Sequence, residues 1–166
     1  MPRRKSVTAA ELANQLSQDT DYQARMRELA DQREQLEREC ADDEAKLVAE
    51  LVAAGSPVKS VWDLVALGSA PKGATAVLVH HLLQPHHPRV WDVIVRALSS
   101  KAARDDALEP LKQLYRSEAN PSRRWVLANA IGSMALFTEV ADLPGICEYR
   151  ALFRQTRKPA HIPPAI

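Results

Sequence analysis

Glycine is scarce in this chain: five residues in 166, at positions 55, 68, 73, 132 and 145, never spaced as a phosphate-cradling loop. Aromatic residues make up only 5%, so the core must be built from Leu, Val, Ile and Ala. That suits close-packed helices better than strands, which favour β-branched and aromatic side chains. No run of alternating apolar and polar residues reads as a strand. No stretch of about 18 apolar residues occurs, so no membrane span is expected. The two cysteines, Cys40 and Cys147, are too far apart in sequence for a metal knuckle or a disulfide framework, and a reducing cytoplasm is the expected compartment. The basic start Met1-Pro2-Arg3-Arg4-Lys5 is followed by a polar stretch rather than an apolar one, so no secretory leader is expected.

Charge of either sign is not in excess. Twenty-two basic and 21 acidic residues leave a net charge of +1. Residues 1–50 hold 8 basic and 12 acidic side chains, so the rest holds 14 and 9. Dedicated nucleic-acid binders carry a stronger basic bias than this.

Helix signals fill the chain. Thr8 and Glu11 have capping-box spacing and open a short helix through Leu16. Asp19-Thr20-Asp21 offers new N-caps, and from there to Ala54 there is neither Gly nor Pro. A helix of that length spans about 50 Å at about 1.5 Å per residue. Its seam, Tyr22, Met26, Leu29, Arg33, Leu36, Cys40, Asp43 and Leu47, alternates spacings of four and three. Two charged members interrupt it, so a long amphipathic helix lying on or projecting from the rest is expected ahead of a self-associating coiled coil. Gly55-Ser56-Pro57 ends the helix. Shorter helices of about ten to seventeen residues then follow, separated by Gly68–Gly73, Pro85–Pro88, Ser99–Lys101, Asn120-Pro121 and Phe137-Thr138. The divisions expected are 1–54, a helical extension; 55–157, a repeat domain; and 158–166, a proline-containing tail.

Residues 57–157 contain a weak repeat of about 30–34 residues. Val61-Trp62-Asp63-Leu64-Val65 returns as Val90-Trp91-Asp92-Val93-Ile94. Pro88, opening a helix that ends in Arg96-Ala97-Leu98, matches Pro121, whose helix reaches Asn129-Ala130-Ile131. Pro110 to Arg116 matches Pro144 to Arg150. Three helix–turn–helix units result, 57–84, 87–118 and 120–157; each needs a neighbour to bury its apolar faces. The third departs most, with Gly145 inside its second helix and Phe137-Thr138-Glu139 at its turn. These segments resemble the short bacterial HEAT repeats of the phycocyanobilin-lyase type. The resemblance implies an all-α fold, a short α-solenoid of about three HEAT-like hairpins preceded by a long N-terminal helix, used as an interaction scaffold. Lyase activity does not follow from it.

Catalytic constellations are weak. His80, His81, His86 and His87 lie within eight residues, but no acidic residue falls between Ala70 and Val90 and the spacing is not that of a helical zinc site. A polar turn between repeats is expected there, with some rings favoured by a helix C-terminus. Asp42-Asp43-Glu44 and Asp105-Asp106 point in different directions on a helix and read as solvated faces. Cys147 has no nearby histidine to activate it. No catalytic residue, metal or cofactor is expected. Trp62, Trp91 and Trp125 recur in first helices and read as packing between layers, with an aromatic platform as the alternative.

A binding surface is the remaining expectation. Burial of Ala107, Leu108, Leu111, Leu114 and Tyr115 would expose Arg104, Lys112 and Arg116, joined by Arg150 and Arg154 on the last helix. That basic ridge, with the second helices forming a concave face, suits an acidic protein partner. An adaptor, inhibitor or immunity-type protein is the expected role. The alternative is a nucleic-acid-binding module that adds Arg123 and Arg124 to the ridge.

Overall fold

The computed structural model describes residues 8–68, 71–140, 143, 145 and 146. Cys147, Arg150, Arg154, the tail 158–166 and most of the segment expected to form the third unit's second helix lie outside the described residues. Among the described residues there is no strand. Seven α-helices are α1 (Ala9–Gln18), α2 (Thr20–Ala53), α3 (Val61–Ala66), α4 (Lys72–Leu82), α5 (Pro88–Leu98), α6 (Arg104–Ser117) and α7 (Pro121–Met134). No described helix is long and apolar enough to cross a membrane. The chain divides into two units, Met1–Ala41 and Asp42–Ile166.

In the first unit, local chemistry sets the helix starts. The Thr8 hydroxyl accepts from the Glu11 backbone N–H, and the Glu11 carboxylate accepts from the Thr8 N–H at 2.9 Å. Asp19 Oδ1 accepts the Tyr22 N–H at 2.9 Å and starts α2. No side chain of α1 is buried, and α2 buries only Leu47 and Leu51, both beyond residue 41. The seam residues Met26 and Leu29 are exposed, while Tyr22, Leu36 and Cys40 are half-buried.

The second unit begins with the last turns of α2. Gly55, at φ 85°, ends that helix: its N–H bonds the Val52 carbonyl, and the Ser56 N–H bonds that of Leu51. This is a Schellman closure, which the left-handed conformation of glycine permits. Ser60 caps α3 with Asp63. Glu44, expected on a solvated acidic face, instead accepts from the Ser60 hydroxyl at 3.1 Å and the Val61 N–H at 3.0 Å. Its carboxylate thus ties the start of α3 to α2. Pro88 and Pro121 occupy the first turns of α5 and α7, where a missing N–H costs nothing.

Helix α5 is the centre of this unit. Val90, Trp91, Val93, Ile94, Val95, Ala97 and Leu98 are all buried, which leaves only a narrow polar strip. A helix buried on most of its circumference must be packed from several sides, and α5 packs against α3, α4 and α7. Helix α6 packs against α4 and α7. Ala107, Leu108, Leu111 and Tyr115 are buried on α6, as its apolar spacing predicts. Among the closest pairs are α4 with α5 and α6 with α7, which straddle the unit boundaries expected at residues 84–87 and 118–120. Gly145 has φ 79° and sits in a turn, not inside a helix.

Candidate functional site

Four of the basic residues expected on the ridge, Arg104, Lys112, Arg123 and Arg124, are engaged within the chain. Arg104 is half-buried and ion-paired with Glu139. The Leu136 N–H, bonded to Glu139 at 2.6 Å, holds that carboxyl below its usual range, with Arg104 as a further cause. Lys112, expected at the surface, is buried at 8% exposure, and its ammonium reaches Glu109 at 3.0 Å. The reason is positional: Leu108, Leu111, Lys112 and Tyr115 follow the i, i+3, i+4, i+7 pattern of a single helix face. Lysine tolerates such a place by burying its stem and extending its charge outward.

The α7 arginines are also engaged. The Arg123 guanidinium lies 4.7 Å from the Trp91 ring centre, and 3.9 Å from Glu118. Arg124 lies 4.9 Å from the ring centre of Tyr115. Both contacts bind α7 to its neighbours, α5 and α6, through cation–π attraction. Arg116 is exposed. Arg150 and Arg154 lie outside the described residues.

The tryptophans divide. Trp91 is buried, and its indole N–H donates to the Leu82 carbonyl at 3.3 Å. Trp62 and Trp125, expected to pack between layers, are 52% and 45% exposed. Trp125 stands at one wall of an open groove of about 340 Å³ between α5 and α7, with Val126, Asn129 and Ser133 on the same side. Arg96 and Ser99 form the opposite wall. A second groove of about 310 Å³, bounded by Leu64, Val65 and Gly68, adjoins the first and shares Arg96 and Ser99. Arg96 is exposed on the last turn of α5 and makes no ion pair among the described residues. Chemically, the described residues of the two grooves offer a trough of mixed apolar and polar lining with the Arg96 cation between them.

The histidines are organised by residues that sequence spacing did not indicate. His86 Nδ1 lies 2.8 Å from Asp43 Oδ2, and His81 Nε2 lies 3.0 Å from Glu50 Oε2. Between the rings, His81 Nδ1 and His86 Nε2 are 3.0 Å apart. Both rings are nearly removed from solvent, with side chains 1% and 6% exposed. Burial pushes the His81 ring below the usual histidine value, opposed by its bond to Glu50. The same bond holds the Glu50 carboxyl below the usual carboxylate range. His80 bonds Gln84 at 2.7 Å, and His87 caps α5 through the Arg89 N–H.

Asp43 and Glu50 come from α2, 43 and 31 residues before their partners. They sit seven residues apart, two turns along one helix face. That spacing was visible in the chain, but nothing local linked it to the turn between α4 and α5. Among the described residues no three His, Cys, Asp or Glu side chains are grouped as metal ligands. Comparison with protein-family models, with curated proteins and with solved structures gave no match.

Proposed function

We propose that this chain is a non-catalytic scaffold whose second unit binds another protein along the α3–α5–α7 side. The observation that carries this reading is the pair of adjoining grooves sharing Arg96, with half-exposed Trp125 on one wall. Exposed tryptophan and arginine beside a partly apolar trough are the residue types that dominate binding energy at protein interfaces. The occupant that fits is an extended or helical segment with an apolar side chain for the trough and a carboxylate for Arg96.

The order of packing supports the HEAT-like part of the reading. Helix α5 lies between α3 and α7, and α4 packs on α6, as successive stacked hairpins require. The binding side differs from the basic ridge expected on the second helices. Arg104, Lys112, Arg123 and Arg124 already have partners within the chain, and recruiting them would break those contacts. This also weakens the nucleic-acid alternative, which drew on the same arginines. A cytoplasmic location belongs to the proposal and rests on the absence of closely spaced cysteines.

The test compares capture from lysate, with and without nuclease, by the wild-type chain and by Arg96→Glu, Trp125→Ser and Arg116→Glu. One protein held by the wild type and by Arg116→Glu, but lost from the two groove variants, is the expected result. Capture that needs nucleic acid, or that ignores both groove substitutions, contradicts the proposal.

A further inference from the structure

Three hydrogen bonds join Asp43, His86, His81 and Glu50 in series, at 2.8, 3.0 and 3.0 Å. Each bond needs one hydrogen between its heavy atoms. Ionised carboxylates have none to donate, so both outer bonds are made by ring N–H groups. The second nitrogen of each ring then faces the other ring at 3.0 Å. With both rings neutral, two lone pairs would oppose each other; with both rings cationic, two N–H groups would collide. Three hydrogens on the two rings satisfy every bond. Moving one onto a carboxylate shifts the others along the series and leaves the total unchanged.

We propose that this relay is a binding site for a single proton, which pins the last turns of α2 to the turn between α4 and α5. Loss of that proton opens the relay, and so does arrival of another. The charge resides on His86, beside the Asp43 carboxylate, because His81 is the more deeply buried ring. His81 is then the neutral tautomer that donates through Nε2 to Glu50. Other ionisable groups near these positions on the elements meeting here include Asp42, Glu44 and Lys46 of α2, His80 of α4, and His87, Arg89 and Asp92 at the start of α5. Lys46 lies 3.8 Å from Glu50 Oε1 and offsets part of its charge. Glu44 is committed to the start of α3.

The pH dependence follows from counting protons. The closed relay holds three. An open relay with ordinary histidines, near 6.5, holds two above that value and four below it. Closing therefore takes up a proton on the alkaline side and releases one on the acid side. The opening constant rises at most about tenfold per pH unit in either direction, the slope of a single proton. A simple buried neutral histidine would give only the acid arm.

Two measurements on the full chain test this. In ¹⁵N-histidine spectra near pH 6.5, His86 should carry hydrogen on both nitrogens and His81 on Nε2 alone. Both rings neutral, or both cationic, overturns the proposal. Exchange of the Trp91 indole hydrogen, held by the Leu82 carbonyl beside the turn, reads opening once intrinsic exchange is corrected. Its rate should pass through a minimum near pH 6.5, and Asp43→Asn should move the alkaline rise to lower pH. A rate that rises only towards acid, or an Asp43→Asn profile identical to wild type, overturns it. The wild-type spectrum decides the matter even if the variant does not fold.

Discussion

The Arg124 guanidinium lies 4.9 Å from the Tyr115 ring centre, so a residue that reads as a phosphate contact in the sequence is part of the α6–α7 interface. Tyr115 is fully buried, with the Arg124 guanidinium over its ring. Arg124→Ala should cost about 1–2 kcal/mol through lost cation–π attraction and packing. Arg96→Ala, on an exposed position without an ion pair among the described residues, should change stability by under about 0.5 kcal/mol. Thermal melts followed by circular dichroism separate the two. Equal effects would mean that the stacked arginine contributes no more than a surface charge.

A core leucine and an exposed tryptophan should differ as sharply. Leu111 is fully buried on α6, and Leu111→Ala leaves a cavity costing about 2–5 kcal/mol. Trp62→Ala, at a residue 52% exposed, should cost under about 1 kcal/mol. Denaturant midpoints measure both. A large loss at Trp62 would show that it packs between layers after all.

Much of the fold was legible because its signals are local. The Thr8–Glu11 capping box, the Gly55-Ser56 closure of α2 and the prolines opening α5 and α7 each act within a few residues. The buried face of α6 was legible too, except at Leu114, which is only half-buried, and at Lys112, which follows the same spacing as its apolar neighbours and was read by its charge. What the sequence hid was pairing across elements. Nothing near His86 announces Asp43, and nothing near Trp91 announces Arg123. Trp62 and Trp91 occupy equivalent places in the repeat, yet only Trp91 is covered, because α5 has neighbours on several sides.

Acid should act on the Arg104–Glu139 pair. The Leu136 N–H first, and Arg104 next among the favourable contacts, hold the Glu139 carboxyl below its ordinary value of 4.5. A carboxyl with a depressed folded value stabilises the fold above its unfolded value, and that contribution disappears as pH falls through the folded one. Glu139→Gln should therefore be less stable than wild type near neutrality and lose less stability below about pH 4.5. Parallel melts from pH 3 to 7 would show the curves converging in acid; parallel curves would contradict the assignment.

Helical segments without buried side chains open easily. Residues 9–41 bury none, whereas α5 buries most of its surface. Amide exchange should be at least about a hundredfold slower in α5 than in α1 and the first turns of α2. Comparable protection in both would show that the Tyr22–Leu36 seam is covered, as a self-associated coiled coil would cover it.

Site-specific photo-crosslinking in cells tests the binding proposal most directly. A photoreactive phenylalanine replaces Asn129, beside Trp125 on the groove wall, in one chain and Arg116 in another. A discrete protein adduct should form from position 129, unchanged by nuclease, and none from position 116. An adduct formed only from position 116, or one removed by nuclease, would contradict it.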